Sequence, residues 1–285
     1  MKSRTIIIFL ILPVCFNIWV GIDTTSGQVL GEREPCRQTE SVFTIVKNDI
    51  FCVAASPFHM SRNSVLRLAS FAALNCLLIY GFDDFADEEF GIEVDDAYFK
   101  SAKKLVTLGE VYDRIGSRNV LIGLSGTMLA GGIIFNDKKL LNTTRLVIES
   151  AAIAGAVTYV GKGLTGRSRP YTGRGAYDFR LFKFSNKEEY RALPSGHTAS
   201  VFSMMTVIAQ QYDKWWIKIP AYTLAISVAL QRMETRNHWS SDVVVGGAVG
   251  CWVGITLVNH HEQKPRKTSF RPNFSGNRVG VSIHF

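Results

Sequence analysis

Six apolar stretches constrain the fold of this 285-residue chain more than any other feature of its sequence. Each is rich in Ala, Gly, Leu and Val, and each is long enough for a helix rather than a strand. They cover residues 68–82, 120–135, 146–160, 199–209, 217–230 and 243–258. Because strand-like alternation does not recur between them, the sequence predicts an all-α domain over residues 28–262, built as a bundle of about six core helices.

A further, amphipathic stretch lies between the first two apolar ones, at residues 98–115, and follows an acidic patch at residues 83–89. Its residues Leu105, Leu108 and Val111 recur at helical spacing. This pattern predicts one more helix, with these three side chains on its buried face.

The composition leaves open whether the bundle lies in a membrane, since 47% of the residues are hydrophobic and 20% are charged. A spanning helix needs about 20 mostly apolar residues, and each stretch reaches that length only with its charged flanks. Glu149 moreover lies inside the third stretch. Membrane embedding is our first interpretation, and a soluble periplasmic bundle, with its apolar faces packed on one another, is the alternative.

The two ends of the chain have patterns of their own. Residues 1–27 comprise a short basic region, an apolar run from Thr5 to Val20, and small or polar residues up to Gly27. This order predicts an export signal, with an uncleaved anchor helix as the alternative, and both direct the chain out of the cytoplasm. Residues 263–285 begin with basic side chains and end in alternating apolar residues, which predicts a strand-like tail.

The cysteines and the net charge narrow the possible ligands. None of the five cysteines has CxxC or zinc-type spacing, so we expect no structural metal. Cys36 and Cys52 can pair in an oxidising compartment, a point that the sequence leaves open. The formal net charge of +8 suits anionic partners, among them phosphorylated substrates, anionic lipids and nucleic acid.

Three short motifs between residues 162 and 242 carry the chemistry. The first runs from Lys162 to Arg169-Pro170 and places three cations within eight residues, directly after an apolar helix. In isolation, such a segment is typical of a solvated basic loop or of the basic flank of a membrane helix.

The second motif, Pro194-Ser195-Gly196-His197, precedes the predicted helix at residues 199–209. A helix N-terminus offers free N–H groups and the positive end of the helix dipole, which together bind anions. Gly196 lets the backbone approach a ligand closely, and the Ser195 hydroxyl can cap the helix or donate a hydrogen bond. His197 adds a group that ionises near neutral pH, although a structural histidine at a helix start is common.

The third motif comprises Arg232, His238 and Asp242. A histidine and an aspartate four residues apart can lie on one face of a helix. The carboxylate can then accept the Nδ1–H of the imidazole, which leaves Nε2 with a free lone pair as a nucleophile. Alone, such a pair is typical of a surface contact, so the hypothesis depends on the three motifs occurring together.

Together the motifs resemble the type 2 phosphatidic acid phosphatase (PAP2) superfamily, which also includes bacterial class A acid phosphatases, glucose-6-phosphatase and vanadium haloperoxidases. The family pattern is Lys, six residues, Arg-Pro; then Pro-Ser-Gly-His; then Ser-Arg, five residues, His, three residues, Asp. The chain matches its order and spacings from Lys162 to Asp242 and departs from it at Gln231, where the family usually has Ser. The resemblance implies a PAP2-like helical fold.

The resemblance also implies a phosphate-binding cradle. Three cations would hold the phosphoryl oxygens, and a hydroxyl and a backbone N–H would add neutral donors. The residues in these roles are Lys162, Arg169, Arg232, Ser195 and Gly196. With three fixed cations in the place of Mg²⁺, we expect neither a metal nor a cofactor.

The catalytic residues implied by the resemblance are two histidines and an aspartate. His238, oriented by Asp242, would attack phosphorus. Protonated His197 would give its proton to the leaving group and then activate water. Two histidines in opposite protonation states predict a bell-shaped pH profile.

These roles predict a metal-independent phosphatase that hydrolyses phosphomonoesters through a phosphohistidine intermediate. Lipid phosphates, such as phosphatidic acid or isoprenyl diphosphate, are the expected substrates, because the motifs occur among apolar helices and an aromatic loop at residues 171–193 is expected to line the pocket mouth. The alternatives are a soluble periplasmic acid phosphatase of broad specificity and, less favoured, a vanadium-dependent haloperoxidase. We expect a membrane as partner, no nucleic acid, and an active site outside the cytoplasm.

Overall fold

The computed structural model describes residues 42–91, 97–182, 184–261, 269–275 and 278–284. The predicted export signal and Cys36 lie outside these residues, so the expectations for the signal and for a Cys36–Cys52 pair remain predictions.

The described body of the chain is helical, which confirms the predicted all-α fold. Its helices are α1 (Val42–Ala55), α2 (Arg62–Gly81), α3 (Asp83–Gly91), α4 (Ala97–Ile115), α5 (Ser117–Ile134), α6 (Lys138–Thr165), α7 (Gly196–Tyr212), α8 (Trp215–Glu234) and α9 (Ser240–His261). Short 3₁₀ turns cover Ser56–His59, Pro170–Thr172 and Glu188–Tyr190. Each of the six predicted apolar stretches lies largely within one helix, in the order α2, α5, α6, α7, α8 and α9.

Local sequence signals set both ends of α6. The Asp137 side chain caps its start by accepting hydrogen bonds from the N–H groups of Lys139 and Leu140. Gly166 ends the helix in the left-handed conformation, with a φ of 53°. A Cβ atom there would lie 2.1 Å from the Arg180 carbonyl oxygen, so this exit, which carries the first motif, requires glycine.

α7 lies at the centre of the bundle and packs against α6, α8 and α9. Two glycines of α9 allow its close approach. A Cβ atom at Gly246 would lie 2.5 Å from the Ser195 carbonyl oxygen, and one at Gly250 would lie 2.4 Å from the Ala199 carbonyl oxygen. This contact holds the N-terminal ends of α7 and α9 side by side, and those ends carry the second and third motifs.

α4 buries a different face from the one predicted. Leu108 and Val111 are 48% and 49% exposed, whereas Val106 and Tyr112 are buried. The helix packs on α8, with Gly109 at the contact, where a Cβ atom would lie 2.4 Å from a backbone oxygen of α8. The predicted buried face of α4 is therefore wrong. The close approach of the α8 backbone at Gly109 decides which face is buried, and Leu108 and Val111 remain exposed.

Among the described residues, three helices are long and apolar enough to cross a membrane: α2, α6 with the turn that follows it (Lys138–Thr172), and α9. They exceed the apolar stretches of the sequence because they take in polar and charged flanks, such as Arg62 and Lys138. Large apolar side chains are also exposed elsewhere on the body, among them Ile134 of α5 and Trp215 of α8. These features support membrane association.

The tail contains a β-hairpin. Strand β1 (Ser269–Ser275) pairs antiparallel with β2 (Arg278–His284), with Ser269 opposite His284 and Ser275 opposite Arg278. β2 contains most of the alternating apolar residues of the predicted strand-like tail, whereas β1 was not predicted as a strand.

Candidate active site

Backbone hydrogen bonds join the three motifs at one end of the bundle. The N–H of Ser195 donates to the Asp242 carbonyl oxygen at 3.0 Å, which links the second motif to the third. The Trp239 indole N–H donates to the Ser168 carbonyl oxygen at 2.8 Å, which links the third motif to the first. The Thr165 hydroxyl donates to the carbonyl oxygen of Leu193, beside the second motif, at 2.8 Å. The eight residues predicted for the site therefore lie on one connected framework.

Lys162 reaches the start of α7 from the last turn of α6. A Cβ atom at Gly196 would lie 3.7 Å from the Lys162 Nζ, so the ammonium group stands beside the first backbone groups of α7. The Ser195 hydroxyl is buried and lies 2.9 Å from the hydroxyl of Thr198. A cation, a helix N-terminus and two hydroxyls thus meet at one point, which is an arrangement that attracts anions.

The two predicted arginines each contact an acidic side chain. Arg169 donates to Glu188 Oε2 at 2.6 Å and to Asn237 Oδ1 at 3.0 Å. Arg232 forms an ion pair with Asp113 of α4. Both guanidinium groups are largely buried, with exposed fractions of 13% and 7%. The acidic partners partly neutralise the cations that the sequence assigned to phosphate.

Gln231, the departure from the family pattern, connects Arg232 to this acidic partner. Its side-chain oxygen accepts from Arg232 Nε at 2.7 Å, and its amide donates to Asp113 Oδ2 at 3.2 Å. Asp113 also lies 3.8 Å from His197 Nε2, measured from Oδ1. The longer glutamine side chain therefore spans to a carboxylate that sequence reasoning did not assign to the site.

His238 lies in the turn before α9, so the helical face predicted for His238 and Asp242 does not form. Its Nδ1 lies 2.7 Å from the Ala192 carbonyl oxygen and 3.8 Å from Asp242 Oδ2, which is too far for a hydrogen bond. Because a carbonyl oxygen only accepts, Nδ1 carries the proton and Nε2 carries the lone pair. The acceptor of the Nδ1–H is therefore the Ala192 carbonyl oxygen and not the predicted Asp242 carboxylate. The tautomer, with its proton on Nδ1, is the one predicted.

Asp242 is held by a buried arginine that the sequence did not single out. Arg167 donates to Asp242 Oδ1, to Asp83 Oδ2 and to the Ser241 hydroxyl, each at 2.7 Å. The second oxygen of Asp242 accepts the backbone N–H of Trp239 at 2.9 Å. Asp242 thereby fixes the turn that carries His238 and acts on the imidazole through the backbone.

Both imidazoles are neutral in the free site at neutral pH. Burial lowers the pKa of His238 well below its usual 6.5, and the charges of Lys162 and Arg169 lower it further. Burial also lowers the pKa of His197 to about 4, with a further contribution from Arg232. The lowered pKa of His197 follows first from burial and then from three nearby cations that disfavour a fourth positive charge, whereas the predicted role needs a protonated imidazole.

Aromatic side chains of the loop between the first two motifs face outward near the site. Tyr171, Tyr177 and Phe184 are each about half exposed or more, whereas Tyr190 is buried under Arg180, whose guanidinium carbon lies 3.9 Å from the ring centroid. The loop therefore offers exposed apolar surface through some, but not all, of its aromatic residues, and its role at the pocket mouth stays a prediction.

The arrangement combines groups that bind a tetrahedral oxyanion with groups that react with it. Three cations and a helix N-terminus surround two imidazoles, whose pKa values both respond to the same three charges. One imidazole, His238, presents a lone pair on Nε2 whose direction is fixed by a backbone hydrogen bond. Such a site stabilises the charge of a phosphoryl group and offers it a nitrogen nucleophile.

Comparison with known proteins shows which class of protein has a helical bundle with a site of this kind. The family model described as "PAP2 superfamily" matches residues 143–266. This range contains all three motifs and runs from α6 to the end of α9. The similarity to the PAP2 superfamily is therefore shown for this part of the chain.

Similar curated proteins share this region. The chain is 28% identical over 150 residues to "Lipid A 1-phosphatase" of Porphyromonas gingivalis, which covers 51% of this chain and 30% of that protein. It is 24% identical over 106 residues to "Lipid A 1-phosphatase" of Rhizobium johnstonii, which covers 37% of this chain and 43% of that protein. The matches thus span less than half of the length of these relatives.

A solved structure is also similar. It is the first transmembrane PAP2-type phosphatidylglycerolphosphate phosphatase from Bacillus subtilis, with a TM-score of 0.46 and 17% sequence identity. The similarity covers 79% of this chain and 98% of that one.

Proposed function

We propose that this protein is a phosphatase that removes phosphate from membrane lipids through a phosphohistidine on His238. The observation that carries the proposal is the 2.7 Å contact between Nδ1 of His238 and the Ala192 carbonyl oxygen. This contact commits Nδ1 to donating, so the unprotonated Nε2 is the nitrogen available to attack phosphorus.

The reaction would proceed in two displacements. In the first, the Nε2 lone pair of His238 forms a bond to phosphorus while the bond from phosphorus to the lipid oxygen breaks. His197 gives a proton to that oxygen, and the lipid alcohol leaves. In the second, His197 takes a proton from water, the water oxygen attacks phosphorus, and the phosphorus–nitrogen bond breaks to release inorganic phosphate.

The cationic cradle supports catalysis without a metal. Lys162, Arg169 and Arg232 would neutralise the equatorial phosphoryl oxygens, a role that Mg²⁺ fills in many phosphoryl-transfer enzymes. Among the described residues, Arg169 Nε is buried and has no hydrogen-bond partner. A phosphoryl oxygen would satisfy this donor and displace the contact with the exposed Glu188 carboxylate.

Binding of phosphate would also supply the proton state that the free site lacks. Burial and the nearby cations lower the pKa of His197, and a phosphate dianion would offset the charge of the cations. Its arrival therefore favours a proton on His197, at the moment when the leaving group needs one. The proton that His197 donates would thus enter with the substrate or follow it from solvent.

A lipid substrate is supported by the setting of the site. Three candidate spans carry or adjoin it, and the loop between the first two motifs exposes aromatic side chains. Relatives of 24% to 28% identity are named for their action on lipid A. We therefore propose the phosphomonoester of a membrane lipid as the substrate class, with lipid A and phosphatidic acid as members to test, and an active site that faces away from the cytoplasm.

The test is phosphate release by the full chain, purified in detergent, with EDTA present throughout. The substrates are lipid A, phosphatidic acid, an isoprenyl diphosphate and a water-soluble phosphomonoester. We expect faster release from a lipid, no loss with EDTA, and an acid-labile, alkali-stable phosphoryl label on the protein.

Two variants separate the nucleophile from general damage. His238→Ala should abolish both release and label, whereas His59→Ala, which removes an exposed histidine far along the chain, should retain both. Full release by folded His238→Ala protein, or a strict need for added metal, would contradict the mechanism.

A further inference from the structure

A second cluster of ionisable side chains lies at the other end of the bundle. Asp49 of α1 contacts two consecutive histidines in the last turn of α9. Its Oδ1 lies 2.7 Å from His260 Nδ1 and 2.8 Å from His261 Nε2. Arg145 and Glu149 of α6 adjoin this group, with Arg145 Nη1 3.3 Å from Asp49 Oδ2 and 3.1 Å from Glu149 Oε1.

The cluster is remote from the candidate active site. Asp242 lies in the first turn of α9 and His260 in its last, so roughly 27 Å of helix separate them. This distance is close to the thickness of the apolar part of a bilayer, about 30 Å. The cluster therefore has no access to the reacting phosphate, and its function is separate from that reaction.

The donor atoms of the cluster have the spacing of a metal site. One ligand atom each from Asp49, His260 and His261 can be chosen so that all three lie within 4.8 Å of one another. Ligand atoms about 2.1 Å from a tetrahedral ion lie roughly 3.4 Å apart. The observed contacts of 2.7 and 2.8 Å would thus open by less than about 1 Å to admit an ion.

The charges of the cluster also call for a cation. Two carboxylates, on Asp49 and Glu149, share one guanidinium, on Arg145, so the group has a formal charge of −1 when both carboxylates are ionised and both imidazoles are neutral. Asp49 is fully buried, where an uncompensated charge is costly.

We propose that Asp49, His260 and His261 bind a divalent transition-metal ion, with Zn²⁺ the best match to two imidazoles and one carboxylate. The proposal departs from the expectation of no metal, which rested on the cysteine spacing and on the three cations of the phosphate site. The ion would tie α1 to the end of α9, while Arg145 pairs with Glu149 beside it.

The role of this site is structural. α1 also packs on α9, and the indole of Trp252 in α9 donates to the hydroxyl of Ser56, just after α1, at 3.0 Å. An ion at the cluster would fix the N-terminal helix to the C-terminal end of α9. Its binding would therefore stabilise the folded chain without entering the phosphatase reaction.

The test is metal binding by the full chain in detergent, measured by elemental analysis after equilibrium dialysis against Zn²⁺. We expect about one ion per chain and a rise in Tm with added Zn²⁺. Substituted Co²⁺ should show the visible absorption of a low-symmetry site with nitrogen ligands. The same preparation, stripped with a chelator, should keep its phosphate release, which separates this proposal from the proposed function.

Variants locate the ion. His260→Gln and His261→Gln keep a side-chain donor for Asp49 but remove an imidazole ligand, so they should fold and lose most of the bound Zn²⁺. His59→Ala and His238→Ala should bind as the unaltered chain does. Unchanged binding in both glutamine variants, loss of binding in His238→Ala, or no binding by the unaltered chain would overturn the proposal.

Discussion

The carbonyl oxygen of Ala192 sets the tautomer of His238, and a backbone group is a stable choice for this task. A carbonyl cannot ionise and always accepts, so the imidazole keeps its Nδ1 proton at any pH where the chain is folded. A carboxylate at hydrogen-bond distance would instead raise the pKa of the imidazole and stabilise its protonated, non-nucleophilic form. The 3.8 Å gap to Asp242 therefore favours a neutral nucleophile.

The protonation states of the two histidines predict an acidic optimum for kcat/KM. With a pKa of about 4 for His197, the free enzyme has no proton on this imidazole at neutral pH to give to the leaving group. A phosphomonoester with its second pKa near 6 carries a proton on its phosphate group only below that pH. We expect kcat/KM to fall about tenfold per pH unit above the substrate pKa, since kcat/KM reports free enzyme and free substrate.

The acid limb of the same profile should lie well below pH 6.5, because the pKa of His238 is lowered. Steady-state rates across the pH range, on two soluble phosphomonoesters with different phosphate pKa values, check the assignment. The upper limb should follow the pKa of the substrate. A limb at the same pH for both substrates would assign the proton to an enzyme group instead.

We expect Asp113 to weaken substrate binding and to increase kcat. Its charge raises the pKa of His197 and also pairs with Arg232. In Asp113→Asn, the freed guanidinium should lower KM, while His197 holds its proton less well and kcat falls roughly threefold to tenfold. Initial-rate kinetics measure both values. Glu110→Gln, an exposed change on the same helix, is the control, and equal effects of the two variants would exclude this role.

Arg167 shows which contacts the sequence does not predict. The three motifs predicted which side chains assemble, since the family spacing encodes them. Arg167 lies within the first motif, but its partners Asp83 and Asp242 are 84 and 75 residues away in the chain. Local spacing predicts neighbours on one element, whereas only the packing of α3 and α9 shows that Arg167 faces inward and Arg169 faces the pocket.

At the scale of elements, Arg167 joins three parts of the chain. It lies after α6 and pairs with Asp83 at the start of α3 and with Asp242 in α9. Arg167→Ala would leave two buried carboxylates unpaired, which should destabilise the fold by about 3–5 kcal/mol. Thermal unfolding in detergent measures this loss.

The control for this prediction is Arg174→Ala in the same loop. Arg174 is exposed; it pairs with Glu189 at 3.4 Å and donates to the Tyr190 hydroxyl, and each of these contacts contributes about 1 kcal/mol or less. A similar fall in Tm for both variants would show that the buried arginine contributes no more than a surface ion pair.

Two glycines of α9 that face α7 should differ in their tolerance of a methyl group. We expect the contact between α7 and α9 to accept a methyl group at Gly247 but not at Gly250. At Gly250, a Cβ atom would lie 2.4 Å from the Ala199 carbonyl oxygen, and at Gly247 it would lie 3.6 Å from the Phe202 ring. Gly250→Ala should therefore destabilise by about 1–3 kcal/mol, whereas Gly247→Ala should be neutral or gain up to about 1 kcal/mol of helix propensity.

Unfolding of both glycine variants, together with phosphate release, checks this prediction. α7 carries His197 and α9 carries Asp242, so a forced separation should also slow turnover in Gly250→Ala. Equal stability of the two variants would mean that the helices can part without cost. The sequence predicted both helices but not this contact, because a glycine in an apolar stretch does not reveal which neighbour approaches it.

At the scale of the whole molecule, the two ends of the bundle differ in chemistry. One end collects cations and imidazoles around a candidate phosphate site, and the other collects Asp49, Glu149 and two histidines. The apolar helices between them expose large side chains, among them Leu68 of α2, Leu129 of α5 and Ile148 of α6. Such a distribution fits a body whose middle contacts lipid and whose ends contact water.

The chain should therefore behave as an integral membrane protein on fractionation. Trp215 and Trp216 begin α8 between Lys214 and Lys218, and both indoles are more than half exposed, as expected at a membrane interface. We expect the protein to remain in the membrane pellet after osmotic shock, high salt and alkaline carbonate, and to require detergent for release. A soluble periplasmic marker in the same cells reports the completeness of the shock. Release with that marker, in active form and without detergent, would instead establish the soluble bundle and make water-soluble phosphomonoesters the substrates to test first.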